Sequence, residues 1–246
     1  MHFLSLCNVH FYADDTQIYC SFPPQLMDRF SLIINNELNS FVECATRHCL
    51  LINPSKSHVI VFGPRQNKNV IETLIKIEIN GVTLKIMDNV KKLGVVIDSN
   101  LRFEYHINKI MQRAYLSLKF IYGSRKFLSL KLKIMLCDTL VLSLFNYADV
   151  LYGPHLTNLY RRKVQLVQNS CLRLAFGIQR RHRISHKLKD AGWLNMENRR
   201  LLHSAVFYHK LILVRTPQYL YQKITYRTDV HNINVRSKGL ISPPNI

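Results

Sequence analysis

Along the chain the apolar positions first recur every second residue and later every third or fourth. Asn8-Val9-His10-Phe11-Tyr12 and Thr16-Gln17-Ile18-Tyr19-Cys20-Ser21-Phe22 are short strand-like runs on either side of Ala13-Asp14-Asp15. They predict a β-hairpin with two acids at or beside its turn. After Pro23-Pro24, the residues Leu26, Phe30, Ile33, Ile34, Leu38, Phe41, Val42 and Ala45 fall on one helical face, which predicts an amphipathic helix. His58-Val59-Ile60-Val61-Phe62-Gly63 predicts a strand closed by Gly-Pro, and the alternation from Ile75 to Ile86 around Asn80-Gly81 predicts a second hairpin. Val90 to Asp98 predicts one further strand, with Gly94 allowing close backbone approach.

From Phe103 onward the spacing is helical. Phe103, Ile107, Ile110, Met111, Ala114, Leu118 and Ile121 predict a helix ending near Gly123. Ser129 is placed to cap a second helix running to about Tyr147, and Thr157 a third running to Gly177. A final helix is expected from about Met196 to Leu213, with the last thirty or so residues irregular around Pro217, Pro243 and Pro244. The expected fold class is α+β, a strand-rich front followed by helices.

Charge sharpens this division. The 246 residues carry a net charge of +19. Residues 1–100 hold 9 Lys+Arg against 9 Asp+Glu, while residues 101–246 hold 25 against 6, so the whole excess lies in the helical part. A positive charge concentrated in this way favours a phosphate-bearing partner. Cysteines at 7, 20, 44, 49, 137 and 171 form no C-x-x-C pair, which argues against a zinc ribbon or a disulfide framework and for reduced thiols. The opening Met1-His2-Phe3-Leu4-Ser5-Leu6-Cys7 lacks a basic n-region, and Asp138 interrupts the apolar run from Ile134 to Phe145. A soluble, intracellular protein, nuclear or cytoplasmic and not secreted, is therefore expected, with no membrane partner.

Adjacent carboxylates at a tight turn repel unless a cation lies between them, and magnesium is commonly held by one or two carboxylates plus substrate phosphates. Asp14 and Asp15 are therefore candidate metal ligands. Tyr12-Ala13-Asp14-Asp15 between two strands resembles the catalytic hairpin of reverse transcriptases, and its extension through Thr16-Gln17-Ile18-Tyr19 resembles the non-LTR, LINE-type (jockey/CR1-like) branch. Two further elements follow in the family's order. Leu50, Ile52, Asn53, Pro54 and Lys56 match its L-x-hydrophobic-N-P-x-K element, although Cys44 and His48 stand where Trp and Asn are usual. Leu93-Gly94-Val95 and Asp98 match its L-G-V-x-hydrophobic-D primer grip.

The resemblance implies an incomplete palm over residues 1–99, thumb helices over 100–154 and a basic C-terminal helical region over 155–246. It implies that Asp14 and Asp15 act as catalytic metal ligands for Mg2+ or Mn2+, and that Lys56 donates a proton to the leaving pyrophosphate. Tyr12, Leu93, Gly94, Lys109, Arg113, Lys119, Arg161, Arg162 and Lys163 would contact an RNA template and DNA primer duplex. Only ten residues precede Phe11, so the third carboxylate, the nucleotide pocket and the fingers are not encoded ahead of the hairpin. Asp98 belongs to the grip element and receives no metal role; as a turn-forming residue before Ser99-Asn100 it has a simpler use. The expectation is a truncated RNA-directed DNA polymerase, catalytically incomplete alone unless another chain supplies the missing early palm and fingers. The alternative is a non-catalytic nucleic-acid-binding or interaction protein that uses only the basic helices.

Overall fold

The computed structural model describes residues 7–23, 26–64 and 75–225. The reading of the opening six residues and of the chain beyond residue 225 lies outside them. The described chain is α+β and divides into two compact units, Met1–His106 and Ile107–Ile246. Among the described residues no helix is long and apolar enough to cross a membrane.

In the first unit, β1 (Asn8–Tyr12) and β2 (Asp15–Tyr19) pair antiparallel. Helix α1 (Met27–Arg47) then lays Phe30, Ile34 and Leu38 against Ile75, Ile77 and Ile79, with Ile18, Cys20, Phe22, Val42, Ile52 and Val59 packed around them. The rings of Phe22 and Phe30 stack. Asn35 ties the helix to the following strand, donating to the Lys76 carbonyl at 2.8 Å and accepting from the Glu78 amide at 3.0 Å. Burying each of these large apolar side chains contributes about 1.5–3 kcal/mol, so the helix stripe is what seats the hairpin.

The strand expected from His58 to Gly63 is reduced to β3 (His58–Val59), which pairs parallel with β6 (Lys85–Ile86). Between them β4 (Glu78–Ile79) and β5 (Val82–Thr83) form the expected hairpin, with Asn80 at φ 52° and Gly81 at φ 75°. Two positive φ values are what a two-residue turn of the favoured hand requires, and Asn-Gly supplies them at low cost. The single strand expected over Val90–Asp98 is instead two strands. β7 (Asn89–Lys92) and β8 (Val95–Asp98) pair antiparallel around Leu93-Gly94, whose φ values are 46° and 83°.

Helix α2 (Glu104–Gly123) runs across the division between the units. Its His106 is buried, and Nδ1 accepts a hydrogen bond from the Val96 amide at 3.3 Å. That acceptor exists only on the neutral ring, and burial pushes the pKa below the usual histidine value. The unfolded chain therefore holds the proton more readily than the folded one. The contribution is complete above the unfolded pKa of about 6.5 and is lost as pH falls through the depressed folded pKa. Chemical denaturation between pH 7.5 and 5 is expected to show a decline in stability that His106→Asn shares only in part; an identical decline in the variant would remove His106 as its source.

In the second unit, α3 (Leu130–Leu140) is capped by Ser129, whose hydroxyl accepts from the Leu132 amide at 3.3 Å. It stops short of the expected Tyr147: a 3-10 turn spans Leu142–Phe145, Ala148 adopts φ 56°, and α4 covers only Asp149–Tyr152. Helix α5 (Asn158–Phe176) packs on α3, burying Val164, Val167, Cys171 and Leu172, and ends at Gly177 with φ 67°. Then come α6 (Lys187–Asp190), α7 (Met196–Val214) and α8 (Gln218–Tyr221), the last a short helix within the tail expected to be irregular. Buried Asp149 meets His203 Nδ1 at 2.5 Å, and Arg199 bridges Asp138 at 2.9 Å and Asn146 at 3.0 Å. These polar contacts fix α7 to the end of α3 and to the segment that follows it.

Candidate metal hairpin and nucleic-acid interface

Register decides what the first hairpin presents. Tyr12 pairs with Asp15, leaving Ala13-Asp14 as a two-residue turn. Side chains alternate across a strand, so Val9 and Ile18 share the half-buried face, while Asp15, Tyr12, His10, Gln17 and Tyr19 share the outer one. His10 and Tyr19 stack there at 5.4 Å, and Phe11 leans on Phe41 of α1 at 6.4 Å. Ala13 adopts φ 52°, a left-handed conformation that costs a residue with a Cβ about 1–2 kcal/mol. Strain of this kind is retained where the surrounding structure over-determines the turn, here the antiparallel pairing of β1 with β2.

At the base of the hairpin, Cys7 donates its amide to Glu37 at 3.1 Å. Burial, with Cys20 and Glu37 close by, pushes its thiol up to about 12. The base is thus protonated and closed, and the tip is wet.

Asp14 and Asp15 are both exposed, and neither carboxylate takes a partner among the described residues. Two free neighbouring carboxylates fit one hydrated magnesium or manganese ion, which would supply charge neutralisation and Lewis acidity to a phosphate oxygen. They do not make a two-ion site. No group of three or more His, Cys, Asp or Glu able to hold a metal is assembled among the described residues.

Lys56 closes a 3-10 turn, Pro54–Lys56. Asn53 organises it, accepting from the Ser55 amide at 3.0 Å and hydroxyl at 2.7 Å, and Pro54 pre-sets the first helical position. The Lys56 side chain is exposed. Leu93 and Gly94 form the exposed tip of the β7–β8 hairpin rather than the middle of a strand. Asp98 serves the backbone: Oδ1 accepts from the amides of Asn100 and Arg102, both at 3.0 Å, and Oδ2 from Phe103 at 2.5 Å. It holds the loop that launches α2.

No protein-family model, curated protein or solved structure matches the chain.

The basic residues of the second unit sort into two kinds. Lys109, Arg113 and Lys119 are exposed on α2, among the exposed rings of Tyr115 and Phe120. Cations interleaved with aromatic faces can meet phosphates and stack on bases at once. Arg161 is partly committed elsewhere, its Nε donating to the Leu156 carbonyl at 3.0 Å, and Lys163 lies 4.7 Å over the Tyr160 ring. Arg162 is exposed. Asn108 donates to the Tyr160 hydroxyl at 3.1 Å, joining α2 to the first turns of α5.

Two cations that the sequence did not single out, Arg183 and Arg200, stand with Arg161 and Arg162 around one cleft. Their only signal along the chain is membership of the runs Arg180-Arg181-His182-Arg183 and Arg199-Arg200. Convergence from three segments is a tertiary property that spacing does not report.

Proposed function

We propose that this chain is a segment of reverse-transcriptase lineage from a non-LTR retrotransposon, whose work is to hold an RNA template and DNA primer duplex through its basic helices while the Asp14-Asp15 hairpin presents carboxylates to a divalent cation. The observation that carries the proposal is the order of parts. An acid-tipped two-residue hairpin, a packing helix, the Asn53-Pro54-Lys56 turn and the Leu93-Gly94 hairpin lead directly into basic helices. That order is the one the resemblance requires of the later palm, the primer grip and the thumb.

The non-catalytic alternative is favoured for the isolated chain by one feature, the pairing of Asp14 and Asp15 without a third ligand among the described residues. Both readings share the duplex and differ in the chemistry.

Titration of a labelled duplex at stepped salt tests the shared part. If about five phosphates are neutralised, log K falls against log salt with a slope of roughly −4 to −5. The triple variant Lys109→Glu, Arg113→Glu, Lys119→Glu is expected to flatten that slope and weaken binding at every sequence tried. A slope near zero, or a variant that binds as the parent does, contradicts the proposal.

A further inference from the structure

The cleft at the start of α5 is built from three segments. Its volume is about 530 Å³, which lies in the range of roughly 300–1,000 Å³ typical of small-ligand sites. Arg161 and Arg162 come from the first two turns of α5, Arg183 from the loop before α6, and Arg200 from the first turns of α7. Glu197 is the one carboxylate in the lining.

The floor is held by amides. Gln165 donates to Gln168 at 2.8 Å and Asn169 at 3.1 Å, and accepts from the Met196 amide at 3.0 Å. Fully buried Gln168 donates in turn to the Leu194 carbonyl at 2.8 Å. A satisfied network of this kind keeps α5 and the start of α7 in fixed relation, so the backbone that carries Arg161, Arg162 and Arg200 is held in place. Arg161 and Arg200 are fastened to carbonyls of Leu156 and Met196 through their Nε atoms. Burial holds the Arg200 guanidinium below its usual value and neighbouring Arg161 adds to this, while Tyr152, Glu197 and Asp149 act in the opposite direction.

We propose that this cleft is a phosphate-binding site sized for one nucleotide, in which Arg162 and Arg183 grip the phosphate while Arg161 and Arg200 supply the fixed positive wall. Guanidinium groups suit this task because their planar forks bind phosphate oxygens in pairs. The inference deepens the proposed nucleic-acid function and rests on it only for the source of the phosphate, a strand rather than a free nucleotide.

The test uses the full chain with three probes: pyrophosphate, a nucleoside 5′-monophosphate and a labelled single-stranded oligonucleotide. The variant is Arg162→Glu, Arg183→Glu, with Arg162→Gln, Arg183→Gln as a second version should the first not fold. The parent chain is expected to bind pyrophosphate and the oligonucleotide, and the folded variant to bind both at least about tenfold more weakly. Lys109→Glu, Arg113→Glu is expected to weaken the oligonucleotide and leave pyrophosphate unchanged. Binding of the small phosphates without any oligonucleotide would support the cleft and remove the strand as its source, together with the duplex function. Oligonucleotide binding that depends on α2 but is indifferent to the folded cleft variant, or a parent chain that binds no phosphate probe, would overturn the inference.

Discussion

The purified 246-residue chain is expected to retain a primer–template duplex and to leave the primer unextended in the presence of magnesium and all four nucleotides. In-line phosphoryl transfer needs two ions clamping the attacking and leaving oxygens. Asp14 and Asp15 offer neighbouring ligands on an exposed turn, and no third His, Cys, Asp or Glu joins them to form a metal group among the described residues. Holding the reacting atoms in near-attack geometry is worth about 7–11 kcal/mol, so a loosely held single ion forfeits many decades of rate. The measurement is primer extension on an RNA template beside Asp14→Asn, Asp15→Asn. Extension by the parent that the double variant lacks would show that two carboxylates suffice.

Asp98→Ala is expected to destabilise the first unit by far more than a surface substitution does. One carboxylate accepts three backbone amides, from Asn100, Arg102 and Phe103. Two residues of that loop, Leu101 and Phe103, both adopt φ 56°, and Phe103 is buried at 2% exposure. Removing the carboxylate takes away the acceptor of three amides in a loop with left-handed backbone. Hydrogen bonds to charged groups contribute about 1.5–3 kcal/mol and helix-start caps about 0.5–2 kcal/mol, which sets the expected loss in chemical denaturation at roughly 2–3 kcal/mol. Asp98→Asn, which keeps one acceptor and turns the other into a donor, is expected to fall between. A loss within about 0.5 kcal/mol, the usual range for surface substitutions, would show that the loop is held by packing alone.

This role for Asp98 was visible in the chain only as a turn-forming acid before Ser99-Asn100. Elements with local signals were legible: Asn80-Gly81 announces its turn, Ser129 its cap, and the Phe30-Ile34-Leu38 stripe its buried face. The β7–β8 turn was hidden because Leu93 occupies a left-handed position that local preference gives to Asn or Gly, inside an apolar run that reads as one strand. The break after Leu140 was hidden for a similar reason. The run from Val141 to Phe145 keeps its apolar character, and neither glycine nor proline marks the turn that Ala148 completes.

The candidate residues divide along the same line. The tip position of Asp14 and the strand-edge position of Asp15 follow from alternation and turn length. The use of Arg161 on a neighbouring carbonyl, and the gathering of Arg183 and Arg200 beside Arg162, arise from the packing of α5 against α7. Charge counting located the basic half, and only the folded arrangement separates a cation that braces the fold from one that faces outward.

Photo-crosslinking of an RNA–DNA primer–template to the full chain, followed by peptide mapping, would show where the duplex lies on the protein. Crosslinks are expected at the exposed residues of α2 around Lys109, Arg113 and Tyr115, at the Arg162–Arg183 cleft and at the Leu93-Gly94 tip, all diminishing as salt rises. Crosslinks confined to residues 7–64, or a pattern that high salt leaves unchanged, would contradict it.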